Sequence, residues 1–400
     1  MSNSQNKTVD YKLCIGLFIT LGMSMLVPEY IAPFFLFGLF IYFKQHFTNT
    51  NRNVLLGNLG KVFLIYMCYM VISSIWSKTH LLSALIGLLW MGCFLGYLII
   101  ANTLNTNEKL DYAILFVNIS AGIIGLISLL EFITFNLSST TDWFKYYFPN
   151  PLYYNLNDYI FDLIPVDIVN DRIESRASAT FDNPLILATY LVLSNPFCAY
   201  GCIHFENKKH KIISSVCLVM SLGGIISTTS RGAYIATIVS FVVMFVTSKK
   251  AIKKLLPFGI ISLTAIPIGL YLRCTNTSVD DFINSNDTRI NIWLSCLDMF
   301  KSNPIFGLGA GTDNIHTLLV NKYNIDRAHA HNLFLQMLVE GGIIGELFLI
   351  VIFIILFTNL FRIIKLQNGK YSKYAVLYMS SIIGFIIESF TNLHYNLQKN

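Results

Sequence analysis

One stretch decides the fold: residues 328–342 read AHAHNLFLQMLVEGG and continue into an apolar run that ends near Phe357. A helix of this length, at about 1.5 Å per residue, crosses the roughly 30 Å of hydrocarbon in a bilayer. His331 and Asn332 therefore lie at the mouth of a predicted membrane-spanning helix. Because imidazole titrates near neutral pH, this placement predicts proton-transfer chemistry on a lipid-borne substrate.

The composition places the whole chain in the membrane class. Hydrophobic residues make up 54% of the 400 residues and charged residues only 12%, which is unusual for a soluble protein. We predict an all-α polytopic membrane protein, a single integral membrane domain over residues 1–400 with about 11 (10–12) transmembrane helices. The apolar runs are 12–27, 30–43, 62–76, 82–101, 112–135, 185–203, 212–228, 233–248, 255–272, 332–358 and 374–391.

Basic residues predict the orientation of the spans. With the N-terminus in the cytoplasm, the inner face carries lysines at positions 7, 12, 44, 61, 109, 208, 209, 211, 249, 250, 253, 254, 365, 370 and 373. Two larger loops, a first outer loop at 136–184 and a second at 273–331, then lie on the extracytoplasmic face. The net charge of +6 is explained by this orientation, so it does not indicate a nucleic-acid partner.

Arginine is distributed differently from lysine. Six arginines fall on the predicted outer face: Arg172, Arg176, Arg231, Arg273, Arg289 and Arg327. Topology needs only positive charge, whereas the planar guanidinium of arginine also binds pairs of phosphate oxygens and keeps its proton. The outer arginines therefore indicate a phosphate-bearing ligand. Pairing with loop carboxylates remains the alternative for any single one of them.

Arg231 lies in a very short outer connection, within the sequence STTSRGAY at residues 227–234. Hydroxyl groups and a guanidinium at the start of a helix suit a phosphate, because the free backbone N–H groups and the helix dipole both favour an anion. An interfacial arginine whose side chain reaches the lipid headgroups explains the residue equally well.

Three polar residues follow His331 at helical spacing. Asn332, Gln336 and Glu340 recur at i, i+4 and i+8 and so share one face of the predicted span. Such a face should point into the bundle or a wet cavity, because exposing it to lipid is costly. Hydrogen bonding between helices accounts for the two amides but less well for the Glu340 carboxylate. Glu388, in the last apolar run, is a second intramembrane acid of unassigned role.

The second outer loop contains a predicted amphipathic helix from Asp287 to about Phe300 and then the glycine-rich sequence FGLGAGT at 306–312. Without a preceding strand, these glycines are a weak dinucleotide signal; a plain turn or a backbone nest for an anion are the alternatives. In the first outer loop, aromatic residues indicate a headgroup-layer belt or sugar stacking. The eight cysteines form no metal-binding pattern, so we expect no metal.

Four groups of residues together resemble the O-antigen ligase and polymerase superfamily. They are Arg176 upstream of FDNP at 181–184, SRGA at 230–233, Arg289 through GLG at 307–309, and His331-Asn332 with Leu335-Gln336 and EGG at 340–342. Each motif is loose by itself, but their order, spacing and common predicted face make the resemblance fairly specific. It covers residues from about 170 to 350.

The resemblance implies a GT-C-like helical glycosyltransferase of the bacterial cytoplasmic (inner) membrane, acting on its outer face without metal or cofactor. The implied donor is a glycan on undecaprenyl diphosphate. Arg176 and Arg231 would hold the diphosphate with help from Arg289, and His331 would take the proton from the acceptor hydroxyl. The residues themselves suit these roles, because fixed positive charge stabilises a departing diphosphate and imidazole serves as a base at neutral pH. Asn332 and Glu340 would support the site.

The acceptor is left open by the sequence. A polymerase would extend another lipid-linked repeat unit into O-antigen, capsule or exopolysaccharide, alongside a flippase and a chain-length regulator. A ligase would move the chain onto lipid A-core. Polymerase is our preferred interpretation. A transporter or flippase for lipid-linked glycans, which would also need outer arginines, is the alternative from another class, but the sequence shows no convincing inverted repeat.

Overall fold

The computed structural model describes residues 32–49, 54–137, 177–181, 183–247, 279–325, 329–366 and 371–392. These residues contain helices and no strand, which confirms the all-α prediction. The helices are α1 (Ala32–Asn49), α2 (Gly57–Ile72), α3 (His80–Thr103), α4 (Asn107–Leu137), α5 (Pro184–His204), α6 (Lys208–Ser227), α7 (Arg231–Thr247), α8 (Val279–Ser302), α9 (Thr312–Tyr323), α10 (Leu333–Lys365) and α11 (Ser372–Asn392).

Seven of the described helices are long and apolar enough to cross a membrane, which confirms a polytopic membrane protein. The candidate spans are Gly57–Ile75, His80–Thr103, Asn107–Ile133, Pro184–His204, Lys208–Ser227, Leu333–Lys365 and Ser372–Phe390. Helix α7 is apolar but shorter. The predicted runs 12–27 and 255–272 lie outside the described residues, so the count of about 11 stays a prediction.

The two predicted outer loops differ in how much of them the structure describes. Residues 138–176 of the first loop lie outside the described residues. The described part of the second loop contains the predicted amphipathic helix, α8, and a further helix, α9, which we did not predict. The apolar periodicity of α9 is short, and the glycines before it favoured an irregular loop.

The described residues form two compact units. The first takes its residues from 1–113 and 288–359, with α3 packed against both α1 and α2. A buried apolar core joins α8, α9 and the start of α10: Ile292, Cys296, Met299, Ile315, Leu319, Ala330 and Val339. Because Ala330 belongs to this core, the described residues directly before α10, 329–332, are held against the unit.

The second unit takes its residues from 114–287 and 360–400. Helix α5 packs against α6 and α11, and α7 packs against α11. Helices α4 and α6 approach closely at two glycines, since a Cβ on Gly224 would lie 2.7 Å from the Cα of Gly125. Beside this contact the hydroxyls of Ser128 and Ser227 share a hydrogen bond. Small residues thus bring two membrane helices together and fix the end of α6.

Helix α10 is interrupted, although its sequence predicts one continuous span. Gly342 has φ +61° and ψ −164°, which is not helical. The carbonyls of Val339 and Glu340 accept from the N–H groups of Leu308 and Gly309, at 2.8 and 2.9 Å, instead of from the next turn of the helix. The N–H of Ile343 donates to the Pro304 carbonyl at 2.9 Å. The break therefore leaves these backbone groups bonded, as a membrane protein requires.

Candidate functional site

A loop of three glycines, residues 307–311, lies against the break in α10. Gly307, Gly309 and Gly311 have φ of +70°, +97° and +111°, a region that favours glycine. A Cβ on Gly307 would lie 2.4 Å from the Glu340 carbonyl oxygen, and one on Gly309 would lie 2.6 Å from the Cβ of Ser77. Both conformation and space therefore require glycine at these positions.

The N–H groups of this glycine loop are already bonded within the protein. Those of Leu308 and Gly309 donate to α10 carbonyls, as described above. The N–H of Ala310 donates to Ser73 Oγ at 2.9 Å, and that of Gly311 donates to Glu340 Oε2 at 3.0 Å. The backbone nest considered from the sequence is thus occupied by the protein's own oxygens. The loop therefore joins α10 to the segment around Ser73, a role that a plain turn does not have.

The polar stripe of α10 faces the interior, as predicted: Asn332, Gln336 and Glu340 are all buried. Glu340 Oε1 accepts a hydrogen bond from Gln336 Nε2, while its other oxygen accepts from Gly311. Gln336 Oε1 in turn accepts from the N–H of Ala330 at 2.9 Å. The Glu340 carboxylate thus links the glycine loop, through Gln336, to the residues before α10.

The peptide groups on either side of Ala330 are held by two different helices. Its N–H is bound by Gln336 of α10, and its carbonyl accepts from Nε1 of Trp293 of α8 at 2.9 Å. Ala330 is fully buried. Sequence reasoning missed Trp293, which read only as an apolar residue of an amphipathic helix. Because Trp293 and Ala330 are 37 positions apart, no local sequence pattern indicates this bond.

His331 lies just outside helix α10 and is half-buried. Asn332 is the cap of the helix, its Oδ1 accepting from the N–H groups of Phe334 and Leu335 at 3.0 and 3.1 Å. His331 itself has φ +52°, so its backbone is left-handed. The rings of His329 and His331 meet edge-to-face, with centroids 6.2 Å apart.

Arg289 lies on α8 in the same unit as His331. It precedes Trp293 by four residues, which is about one helical turn or roughly 6 Å along the axis. Its side chain is half-buried. The first unit thus contains His331, Asn332 and Glu340, together with the helix that carries Arg289 and binds the Ala330 carbonyl.

A buried polar cluster behind the glycine loop was also missed. Asn314 Nδ2 donates to Ser77 Oγ at 2.8 Å, and the hydroxyls of Ser77 and Ser83 are 2.6 Å apart. Thr79 Oγ1 donates to Asn314 Oδ1 at 3.3 Å. Next to Asn314, burial raises the pKa of the Asp313 carboxyl above its usual range. The hydroxyl residues between 73 and 83 were the available sequence signal.

Arg231 lies in the second unit, at the first position of α7. The turn before it, residues 227–230, is buried. Ser230 Oγ accepts from the N–H of Ala233 at 3.4 Å, and Thr228 Oγ1 accepts from the N–H of Ser230 at 3.3 Å. Thr229 has φ +49°. The turn thus presents a half-buried guanidinium at a helix N-terminus, the setting predicted from the sequence.

The segment that follows Arg176 is attached to this turn. The N–H of Ala177 donates to the Ser227 carbonyl at 3.1 Å. Glu131 Oε2 accepts from the N–H groups of Ser178 and Ala179, at 3.1 and 2.6 Å, a contact that sequence reasoning missed. Arg176 itself, like Arg172, Arg273 and Arg327, lies outside the described residues.

Two further features, the start of α5 and Glu388, lie in the second unit. Pro184 opens α5, with Asn183 Oδ1 accepting from the Leu185 N–H at 2.8 Å. Glu388 is fully buried on α11. Among the residues that the structure describes, no group of three or more histidine, cysteine, aspartate or glutamate side chains is arranged to hold a metal ion.

Residues 216–350 match a family described as O-antigen ligase. The matched stretch includes Arg231, Arg289, the glycine loop, His331, Asn332 and Glu340, whereas Arg176 precedes it. The match confirms the resemblance to the O-antigen ligase/polymerase superfamily over this third of the chain. It supports a multi-pass membrane enzyme that acts on lipid-linked glycans. No curated protein matches the chain significantly.

Proposed function

We propose that this O-antigen ligase/polymerase-type enzyme transfers a glycan from undecaprenyl diphosphate to a sugar hydroxyl on the outer face of the membrane. The observation that carries the proposal is the setting of His331. It is half-buried, lies at the mouth of a spanning helix, and follows Ala330, whose N–H and carbonyl are bound by side chains of two different helices. It also belongs to the stretch that matches the O-antigen ligase family.

In the proposed reaction, the His331 imidazole takes the proton of the acceptor hydroxyl while its oxygen attacks the anomeric carbon of the donor. The bond from that carbon to the diphosphate breaks, and the diphosphate leaves with the electron pair. Fixed positive charges stabilise the charge that develops on the leaving group. We assign that role to Arg176 and Arg231, with Arg289 as a helper. These steps call for no metal and no cofactor.

The local structure around Arg231 supports this assignment. Arg231 is the first residue of α7, where the helix dipole favours an anion. The backbone bond from Ala177 to Ser227 supports a joint role for Arg176, because Arg176 is covalently attached to Ala177. Asn332 supports His331 by capping α10, and Glu340 supports it through the hydrogen bonds to Gly311 and Gln336.

We propose polymerase as the more specific activity, with ligase as the alternative. The test uses the purified full-length protein in lipid nanodiscs with an undecaprenyl-diphosphate-linked repeat unit. One reaction contains only that substrate, and a second also contains lipid A-core. A ladder of products in the first reaction supports a polymerase. A product that appears only with lipid A-core supports a ligase. Movement of the substrate across vesicles without any new glycosidic bond would support the transporter alternative.

The proposed orientation has its own test. Cysteines placed at Asn150 and Asn321 in a cysteine-free background should react with an impermeant thiol reagent added outside intact cells. A cysteine at Asn207 should react only after permeabilisation. Asn321 and Asn207 are both exposed, so failure to react would report the membrane rather than burial. The reverse pattern would place the second outer loop in the cytoplasm and overturn the proposed mechanism.

A further inference from the structure

We propose that Trp293, Gln336 and Glu340 are positioning residues that set the orientation of His331 through the backbone of Ala330. This inference rests on the proposed role of His331 as the base. None of the three side chains is assigned to the substrate. Their effect would pass through the peptide groups of a single buried alanine, immediately before the histidine.

The contacts form one continuous chain of hydrogen bonds. The Gly311 N–H donates to Glu340, Gln336 Nε2 donates to Glu340, and the Ala330 N–H donates to Gln336. On the other side of the same residue, Trp293 donates to the Ala330 carbonyl. The hydrogen-bond chain thus runs from the glycine loop through α10 to α8. It passes through Ala330, directly beside His331.

His331 needs such support because no helix determines its backbone. Its φ of +52° is uncommon for a residue with a side chain. Asn332, the cap of the helix, accepts from the N–H groups of Phe334 and Leu335, which lie beyond it in the chain. Trp293 bonds the carbonyl of the peptide that joins Ala330 to His331, and Gln336 bonds the N–H of the peptide before it, so a change at either should turn the imidazole. Displacing a catalytic group by about 1 Å can cost a rate about 100-fold.

This hydrogen-bond chain has one consistent arrangement of donors and acceptors. Glu340 presents two oxygens to two donors, Gly311 N–H and Gln336 Nε2. Replacing it by glutamine introduces an NH₂ group that must face one of those donors. Gln336 cannot relieve the conflict by rotating its amide, because its oxygen is required by the Ala330 N–H. A buried polar group would be left without a partner.

Exchanging the two side chains restores every bond. In the double variant Gln336→Glu/Glu340→Gln, the carboxylate at position 336 accepts from Ala330 and from the new amide at 340. The oxygen of that amide accepts from Gly311. The number of charges and the number of hydrogen bonds are then those of the native protein. A rescue by this exchange would identify the hydrogen-bond chain, rather than a charge at position 340, as the feature that matters.

The experiment measures transfer kinetics and melting temperature for full-length variants in nanodiscs with the undecaprenyl-diphosphate-linked repeat unit. We expect Trp293→Phe and Glu340→Gln each to lower kcat by about tenfold to 100-fold, with the donor KM changed less than about twofold. The double variant should return kcat to within about threefold of the native value. Trp76→Phe is the matched control. The Trp76 ring packs on the Phe306 ring, with centroids 5.5 Å apart, and does not belong to the hydrogen-bond chain.

Two results would overturn the proposal: a native kcat in Trp293→Phe, or a double variant no faster than Glu340→Gln. A fall in activity that only follows the folded fraction, with no change in kcat per folded molecule, would also overturn it. The proposed function fails separately. If His331→Asn transfers glycan normally, the base has been assigned wrongly. If His331→Asn is inactive while Trp293→Phe is native, only the positioning role is wrong.

Discussion

Two short segments place a candidate functional side chain at the start of an apolar helix, and they are built differently. Residues 227–230 precede Arg231 and α7, and residues 329–332 precede α10. Each contains a non-glycine residue with positive φ, Thr229 in the first and His331 in the second. In the first, hydroxyl groups bond backbone atoms two or three residues away. In the second, the Ala330 carbonyl needs Trp293, 37 residues earlier.

The two segments should therefore be sensitive to different substitutions. The turn before Arg231 carries several bonds to near neighbours, and it has two from further away: the Ala177 N–H donates to the Ser227 carbonyl, and the Ser128 and Ser227 hydroxyls share a hydrogen bond. Changes close to Arg231 in sequence should therefore have the main effect there. The segment containing His331 depends on α8, the glycine loop and the break in α10. Changes far away in sequence should disturb it as much as changes beside it.

The largest expected effect comes from the second of two adjacent glycines. In Gly342→Ala, a Cβ would lie 2.3 Å from the Ile305 carbonyl oxygen, at a φ of +61°. Backbone strain and overpacking together should destabilise the protein by about 2–5 kcal/mol and abolish transfer. In Gly341→Ala, the nearest atom is 3.6 Å away, so the variant should fold and remain active. Folded yield and melting temperature in detergent check both, and similar behaviour of the two variants would contradict the break.

The next effect concerns His331. His331→Asn removes the base but keeps a residue that tolerates a left-handed backbone, which His331→Ala does not. We expect transfer to slow by about 10²–10⁴-fold while donor binding is retained. His329→Asn should be affected far less. Single-turnover transfer and donor binding are the measurements, and equal losses for both variants would require a shared role for the two rings.

The same assignment predicts a dependence on pH and an indifference to chelators. A base must be deprotonated to work, so the rate should rise with pH as the imidazole loses its proton. His331→Asn should lose this rise in its residual activity. Excess chelator should leave the native rate unchanged. Loss of transfer on chelation, restored by adding a divalent ion, would replace the proposed mechanism with a metal-dependent one.

Arg231 tests the other segment. Arg231→Lys keeps the charge but loses the planar fork that binds two phosphate oxygens, so we expect most of the activity to be lost, by about tenfold or more. Because the turn is built mainly from nearby bonds, the melting temperature should change little. Native turnover in Arg231→Ala would remove this residue from the diphosphate site.

The smallest expected effect compares the two helix starts. Asn332 Oδ1 accepts two hydrogen bonds, at 3.0 and 3.1 Å, whereas Ser230 Oγ accepts one from Ala233 at 3.4 Å. Asn332→Ala should therefore cost about 1 kcal/mol of stability, and Ser230→Ala roughly 0.5 kcal/mol. Denaturation of the two variants under one set of conditions checks the order. The reverse order would mean that the Ser230 hydroxyl does more than cap α7.

Much of the fold could be predicted from the sequence, because its cause is local. Length and apolar content alone indicate the seven described spans, since a bilayer demands about 20 apolar residues per helix. The inward face of Gln336 and Glu340 follows from helical spacing. The cap at Asn332 and the start of α5 at Pro184 are also short-range patterns.

Other features follow only from the tertiary structure, because they depend on residues far apart in the chain. Gly341 and Gly342 are identical letters, yet only Gly342 breaks α10, because residues 304–309 supply the backbone bonds there. His331 reads as the first turn of a helix, but its orientation depends on Trp293 through Ala330. Glu340 reads as an unexplained intramembrane charge until Gly311 is placed beside it. Local propensity sets where helices form; the partners of buried polar groups are set by which helices meet.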